Sequence, residues 1–270
     1  MIAFAANSVL ARLALADGAM DALSYTGIRI LAGAVILFLL VRWRTRQTGA
    51  GFSLAGHWLQ AGALLGYALG FSLAYGWLGA ATGALILFGA VQVTMFGLGI
   101  WRGERPSAWQ WTGTALAVAG LAWLLSPGAT APPLLPALVM AASGATWGSY
   151  TLLGRGSRQP ALDTRDNFVR SLPFALVLGL VFIGQQQLSA QGLALAVVSG
   201  AITSALGYIV WYSVLPRLSR IRASTVQLSV PVLTALSGVA LLGESITLRL
   251  ALAGAITLGG IALTLRPAAR

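Results

Sequence analysis

Apolar runs, each about the length of a membrane-spanning helix, follow one another through this chain and leave little between them. A helix needs about 20 apolar residues to cross the hydrocarbon layer. The runs lie at 1–17, 24–41, 58–76, 82–101, 108–125, 133–154, 167–184, 191–214, 222–242 and 248–265. Only 9% of the residues are charged and 57% are hydrophobic, against roughly 25% charged in an ordinary soluble domain. No separate soluble domain is therefore expected. Lipid cannot satisfy an open sheet edge, and the runs lack the alternation of a membrane barrel. The expected fold is all-α and integral to a membrane, with ten transmembrane helices. The first run is short and starts at Met1 without a signal-cleavage pattern, so a few natural N-terminal residues are expected to be missing.

The net charge of +11 arises from seventeen Arg and no Lys against six acids. In a soluble chain this would suggest nucleic acid. Here placement explains it, because cytoplasmic connections retain positive charge during insertion. Arg42, Arg44, Arg46, Arg102, Arg105, Arg155, Arg158, Arg165, Arg170, Arg217, Arg220, Arg222, Arg266 and Arg270 fall on one side, fourteen of the seventeen. The alternate loops "GWLGAAT", "SPGATAPP" and "GQQQLSAQ" carry none. Both termini are expected to be cytoplasmic, with a lipid bilayer and no nucleic acid as partner. There is no Cys, hence no disulfide or thiol chemistry.

Shifting the chain by 140 positions lays "WRGERPSAWQWTGTALAVAG" on "LLGESITLRLALAGAITLGG", with Gly103-Glu104 on Gly243-Glu244 and Gly120 on Gly260. A slightly different offset pairs Arg12 with Arg155 and Arg29 with Arg170. Each half, 1–126 and 132–270, then holds five helices. An odd number forces the second half to enter upside down, the inverted repeat of secondary transporters. Glu104 and Glu244 are expected to accept the free N–H groups of the helix that follows each. Arg12 and Arg155, like Arg29, are expected to be structural, binding helix-end carbonyls or snorkelling to headgroups.

The two five-helix halves, the "WGSY" that opens the second and the "LLGES" with its following "G…GG" resemble the drug/metabolite transporter (DMT) superfamily, specifically its EamA-type members. Within that branch the sequence is similar to bacterial YddG-type exporters of aromatic and other neutral amino acids. The resemblance implies a cofactor-free transporter of the bacterial inner membrane, working by alternating access around a cavity bounded by helices 1, 3, 4, 6, 8 and 9. Nucleotide-sugar, drug and other metabolite carriers of the same superfamily, including proton-coupled antiporters, remain open alternatives. The halves differ where Val91 stands opposite Pro231 and Phe4 opposite Trp147.

All six acids, Asp17, Asp21, Glu104, Asp163, Asp166 and Glu244, read as loop or loop-edge residues, and His57 is the single His. No catalytic acid or metal cluster is therefore expected, nor the buried carboxylate of a proton-coupled cation antiporter. The runs offer aromatics and amides instead. Tyr67, Phe71 and Tyr75 share one face of helix 3, and Tyr208, Trp211 and Tyr212 share one face of helix 8. Trp147 and Tyr150 join them from helix 6. Asn7, Gln92 and Gln227 are costly in lipid and should point inward, with Met95 as a pliable wall and Ser8, Thr94 and Ser229 as weaker candidates. Such a cavity suits a small neutral or zwitterionic solute, its ammonium over a ring face. Pro231 should hinge helix 9, whereas Pro173 and Pro216 read as boundary markers. Gly62, Gly66 and Gly70 should let a neighbouring helix approach closely. A monomer is expected, because the two halves already form a pseudo-dimer.

Overall fold

The structure, a computed structural model, describes residues 1–16, 18–48, 57–157, 159–182, 184, 186–218 and 220–266, without the side chains of 44–48, 220–225 and 228. Asp17, Arg158, Arg270 and the side chains of Arg44, Arg46, Arg220 and Arg222 thus lie outside the described residues. Among the described residues there are ten long helices: α1 Ile2–Leu15, α2 Ala22–Thr48, α3 Trp58–Tyr75, α4 Ala80–Trp101, α5 Ala108–Leu125, α6 Leu134–Gly154, α7 Pro160–Val181, α8 Ala190–Arg217, α9 Arg220–Leu242 and α10 Leu248–Thr264. Three of these spans, Ala22–Trp43, Ala80–Trp101 and Ala190–Arg217, are long and apolar enough to cross a membrane by length and composition. Ile2–Leu15, Ser229–Leu242 and Leu248–Thr264 are apolar but shorter.

The helix ends follow local rules. Ser107 and Gln110 form a reciprocal capping box on α5, while Ser189 and Thr247 cap α8 and α10 through the Gly192 and Leu250 amides. Gly103 and Gly243 take positive φ, 85° and 64°, and close α4 and α9 in left-handed C-terminal turns. There the Glu104 amide donates to the Gly99 carbonyl and the Glu244 amide to that of Gly238. The recurrent Gly-Glu is therefore first a helix stop.

Helix packing follows a pattern of exchanged pairs. Helices α3 and α4 pack on α6 as α8 and α9 pack on α1, and α2 meets α8 as α7 meets α3. The pairs α2·α7, α4·α9 and α5·α10 map onto themselves under the same exchange. Helices α5 and α10 cross antiparallel: a Cβ on Gly113 would strike the Gly260 carbonyl, and one on Gly120 would strike Thr257 and the Ala253 carbonyl. On α3, Gly70 and Gly66 abut Ser143 and Thr146 of α6, whereas Gly62 faces open space. Outward faces are aliphatic, as at Leu31, Val35, Phe38 and Leu39 of α2 or Leu176, Val177, Leu180 and Val181 of α7. Trp43, Trp58, Trp77 and Trp101 are exposed.

Helix α7 corrects the sequence reading. It starts at Pro160, a favoured first-turn residue, instead of at 167. Arg165 and Asp166 are therefore helical and buried, joined by an Arg165 Nη2–Asp166 Oδ1 ion pair of 2.6 Å. They are not solvated loop charges. The earlier start also places Pro173 inside the helix, while Pro216 does mark a boundary, in a 3₁₀ turn at Leu215–Arg217. Pro231 lies inside α9.

Helix α8 changes pitch midway, with a π-helical stretch over Ser199–Leu206. Gly200 in that stretch lies flush against α2, and a Cβ there would fall on the Arg29 carbonyl. Gly200→Ala should lower the melting temperature in detergent by the equivalent of about 1–3 kcal/mol, the usual cost of overpacking. Gly62→Ala, with nothing to strike, should be neutral or slightly stabilising. At one end of the bundle Asp21 accepts from the Leu23, Ser24 and Gln187 amides. Burial pushes its carboxyl up, but hydrogen bonds from Ser24, Gln187 and Leu23 outweigh burial and hold it below its usual value. The folded value lies under the unfolded one of about 3.9, so this contribution is present above that pH and is lost as pH falls through the folded value. Acid melts of wild type and Asp21→Asn check this: the variant should lack that part of the loss.

Candidate functional site

Trp147 of α6 is the hub of an interior aromatic cage. Its ring lies 4.8 Å from Tyr67, 4.9 Å from Tyr208, 5.5 Å from Phe4 and 5.6 Å from Tyr150, centroid to centroid. Phe4 also meets Tyr208 at 5.8 Å and Trp211 at 6.1 Å, both edge-on. The four-residue spacing on α3 continues the contacts from Tyr67 to Phe71 at 5.4 Å and on to Tyr75 at 4.6 Å. On the other side Tyr150 meets Tyr212 at 5.5 Å. An aromatic column thus runs through the bundle, from Tyr75, whose hydroxyl donates to the Ala80 carbonyl, to Tyr212, whose ring abuts Gly154.

A polar network crosses the column. Ser199 and Thr203 donate to Asn7 Oδ1 at 2.6 and 3.1 Å, and Asn7 Nδ2 donates to the Tyr67 hydroxyl at 3.3 Å. Arg29 enters the same network from α2, reaching Tyr67, Tyr208 and Ser204. Arg29 therefore does not snorkel to headgroups, as its side chain is buried within the cage. The sequence did carry a signal: Arg29 stands eight residues into the apolar helix α2, where an ionisable group is a functional candidate by default. Ser199, Thr203 and Ser204 were also missed, their hydroxyls made inward-facing by the π-helical stretch of α8.

Several buried donors and acceptors of this interior have no hydrogen-bond partner among the described residues: Trp147 Nε1, Trp211 Nε1, Arg29 Nη1 and both amide atoms of Gln227. Gln227 sits on α9, which packs against α1 and α4. The side chains close the cage around a cavity of about 10 Å³ bordered by Phe4, Ser8, Tyr67, Phe71 and Trp147, room for about one water. Gln92 and Met95 lie elsewhere. They line a cavity of about 170 Å³ at the ends of α4, α5, α6 and α10, together with Arg102, Glu104 and Arg155. Thr94 faces Gly148 across the α4–α6 crossing, and Ser229 bonds its own helix at Val226.

Glu244 differs from its expected role. Thr247 caps the following helix, α10, and Glu244 reaches across to α4, accepting from the Ala80 amide at 2.8 Å at its start. It also pairs with Arg12 at 3.2 Å, while Arg12 donates to the Tyr75 carbonyl. Arg155 donates to the Leu218 carbonyl at 3.4 Å.

Known proteins share this architecture and sequence. A solved crystal structure superposes with a TM-score of 0.66, covering 97% of this chain and 95% of the other, and at 21% identity that likeness is one of fold. An uncharacterized protein of Pseudomonas aeruginosa is 52% identical over 267 residues, covering 99% of this chain and 92% of its own length. Residues 134–266 match the EamA-like transporter family. This part of the chain is thus an EamA-like transporter domain, of a family of integral membrane transporters in the drug/metabolite transporter superfamily.

Proposed function

We propose that the chain is a secondary transporter that exports neutral amino acids, aromatic and other apolar ones, or similar small metabolites across the bacterial inner membrane by alternating access. The observation that carries this reading is the Trp147-centred cage, in which aromatic faces surround buried donors without a partner among the described residues. Ring faces accept an apolar side chain and an ammonium, and indole and amide groups orient the polar end. The exchange symmetry of helix packing and the antiparallel crossing of α5 and α10 support two inverted halves, 1–126 and 132–270. Under that reading both termini face the cytoplasm, the chain works as a monomer, and Pro231 is the hinge that lets α9 move relative to α4.

Proteoliposomes holding the purified protein should show flux of radiolabelled phenylalanine, threonine and methionine. Trp211→Ala and Gln227→Ala should each reduce it about tenfold, a loss of about 1.4 kcal/mol. Flux of a lipophilic cation that depends on a pH gradient would instead identify a drug antiporter of the same superfamily. Pro231→Ala should slow transport while leaving the melting temperature near wild type; unaltered flux would remove the hinge.

A further inference from the structure

Among the described residues Arg29 and Arg165 are the two largest fully buried side chains, and the structure treats the two guanidinium groups differently. Arg165 has a carboxylate beside it, Asp166, at 2.6 Å. Arg29, 1% exposed, has no carboxylate partner among the described residues. Its surroundings are neutral. Nε donates to Ser204 Oγ at 3.0 Å, and Nη2 donates to the hydroxyls of Tyr67 at 3.3 Å and Tyr208 at 3.1 Å. The guanidinium carbon stands 5.3 Å from the Tyr67 centroid and 5.0 Å from that of Phe71. Nη1 has no partner among the described residues. A buried cation without a counter-charge costs several kcal/mol, which hydroxyls and ring faces offset only in part.

We infer that Arg29 is the anion-binding element of the cage and that the transported solute presents a carboxylate to it. The proposal rests on the cage being the solute site and adds which chemical group the solute must carry. The geometry supplies more than one donor. Tyr67 and Tyr208 each accept from Arg29 through the hydroxyl oxygen, and the two hydroxyls also bond each other, which leaves one of their O–H protons for donation. Nη1 and that hydroxyl are the donors a carboxylate would take, and charge-assisted hydrogen bonds of this kind are about twice as strong as neutral ones. Both tyrosine rings lie against Trp147, so a carboxylate held there leaves the rest of the solute among the aromatics. The same charge repels an amine that lacks a carboxylate, and the polar network around Arg29, built from Asn7, Ser199, Thr203, Ser204 and the two tyrosines, contains no acid to attract one.

Thermal melts of the purified protein, with L-phenylalanine, 3-phenylpropionate and phenethylamine compared at equal ionic strength, test this directly. Phenylalanine and 3-phenylpropionate should raise the melting temperature, and phenethylamine should not. In Arg29→Met the response to both carboxylates should weaken at least tenfold, while the unliganded melting temperature stays level or rises, because an uncompensated buried charge has been removed. A purely structural Arg29 would give the opposite pattern, a lower melting temperature with an intact response. Should the variant fail to fold, the wild-type comparison of acid and amine decides alone. Phenethylamine stabilising as well as phenylalanine, or no response to either carboxylate, would overturn the assignment of Arg29. Stabilisation by 3-phenylpropionate without phenylalanine flux in proteoliposomes would uphold that assignment and remove the amino-acid reading.

Discussion

A chain whose outer surface is aliphatic has only its interior in which to satisfy polar side chains, and lipid offers no hydrogen bonds in exchange. The network from Ser199 and Thr203 through Asn7 and Tyr67 to Arg29, Tyr208 and Ser204 is this chain's answer. It draws on α1, α2, α3 and α8, so those helices must keep their mutual depth and rotation for the bonds to form. Aromatic rings then fill the space that the polar groups define. Trp147 meets rings from α1, α3 and α8 as well as Tyr150 of its own helix.

That arrangement depends on close backbone approach. Gly200 brings α8 onto the backbone of α2 at Arg29, Gly144 brings α6 onto the Leu87 carbonyl of α4, and Gly113 meets Gly260 where α5 crosses α10. In lipid the hydrophobic effect gives little drive for helix association, and contact at small residues takes its place. The π-helical stretch of α8 serves the same end. Its wider turn aims Ser199, Thr203 and Ser204 inward, where an uninterrupted α-helix would rotate part of the set away.

Helix number and most boundaries were legible in the sequence, because lipid demands long uninterrupted apolar runs. The start of α7 was not. Charges were read as loop markers, and the Arg165–Asp166 pair enters the helix because each residue neutralises the other. Periodicity grouped Tyr67 with Phe71 and Tyr75, and Tyr208 with Trp211 and Tyr212, as the structure does. It could not say which face of α4 looks toward the cage, so Gln92 and Met95, inward by polarity and pliability, sit in a separate cavity. Arg29 was passed over because Arg was weighed as a signal of sidedness, while its depth along α2 is what marks it. Local helix rules explained the Gly of each Gly-Glu through its left-handed turn. They did not reveal the target of Glu244, which lies on α4, far away in sequence.

That reach has a mechanical consequence. One carboxylate holds both the Arg12 guanidinium of α1 and the first amide of α4, and it does so from the loop between α9 and α10. Parting that loop from α4 would uncover a cation and a helix terminus together, so both contacts would be lost at once. Under the alternating-access reading this carboxylate is a tether among the α9–α10 loop, α1 and α4 that an opening at this end would have to break.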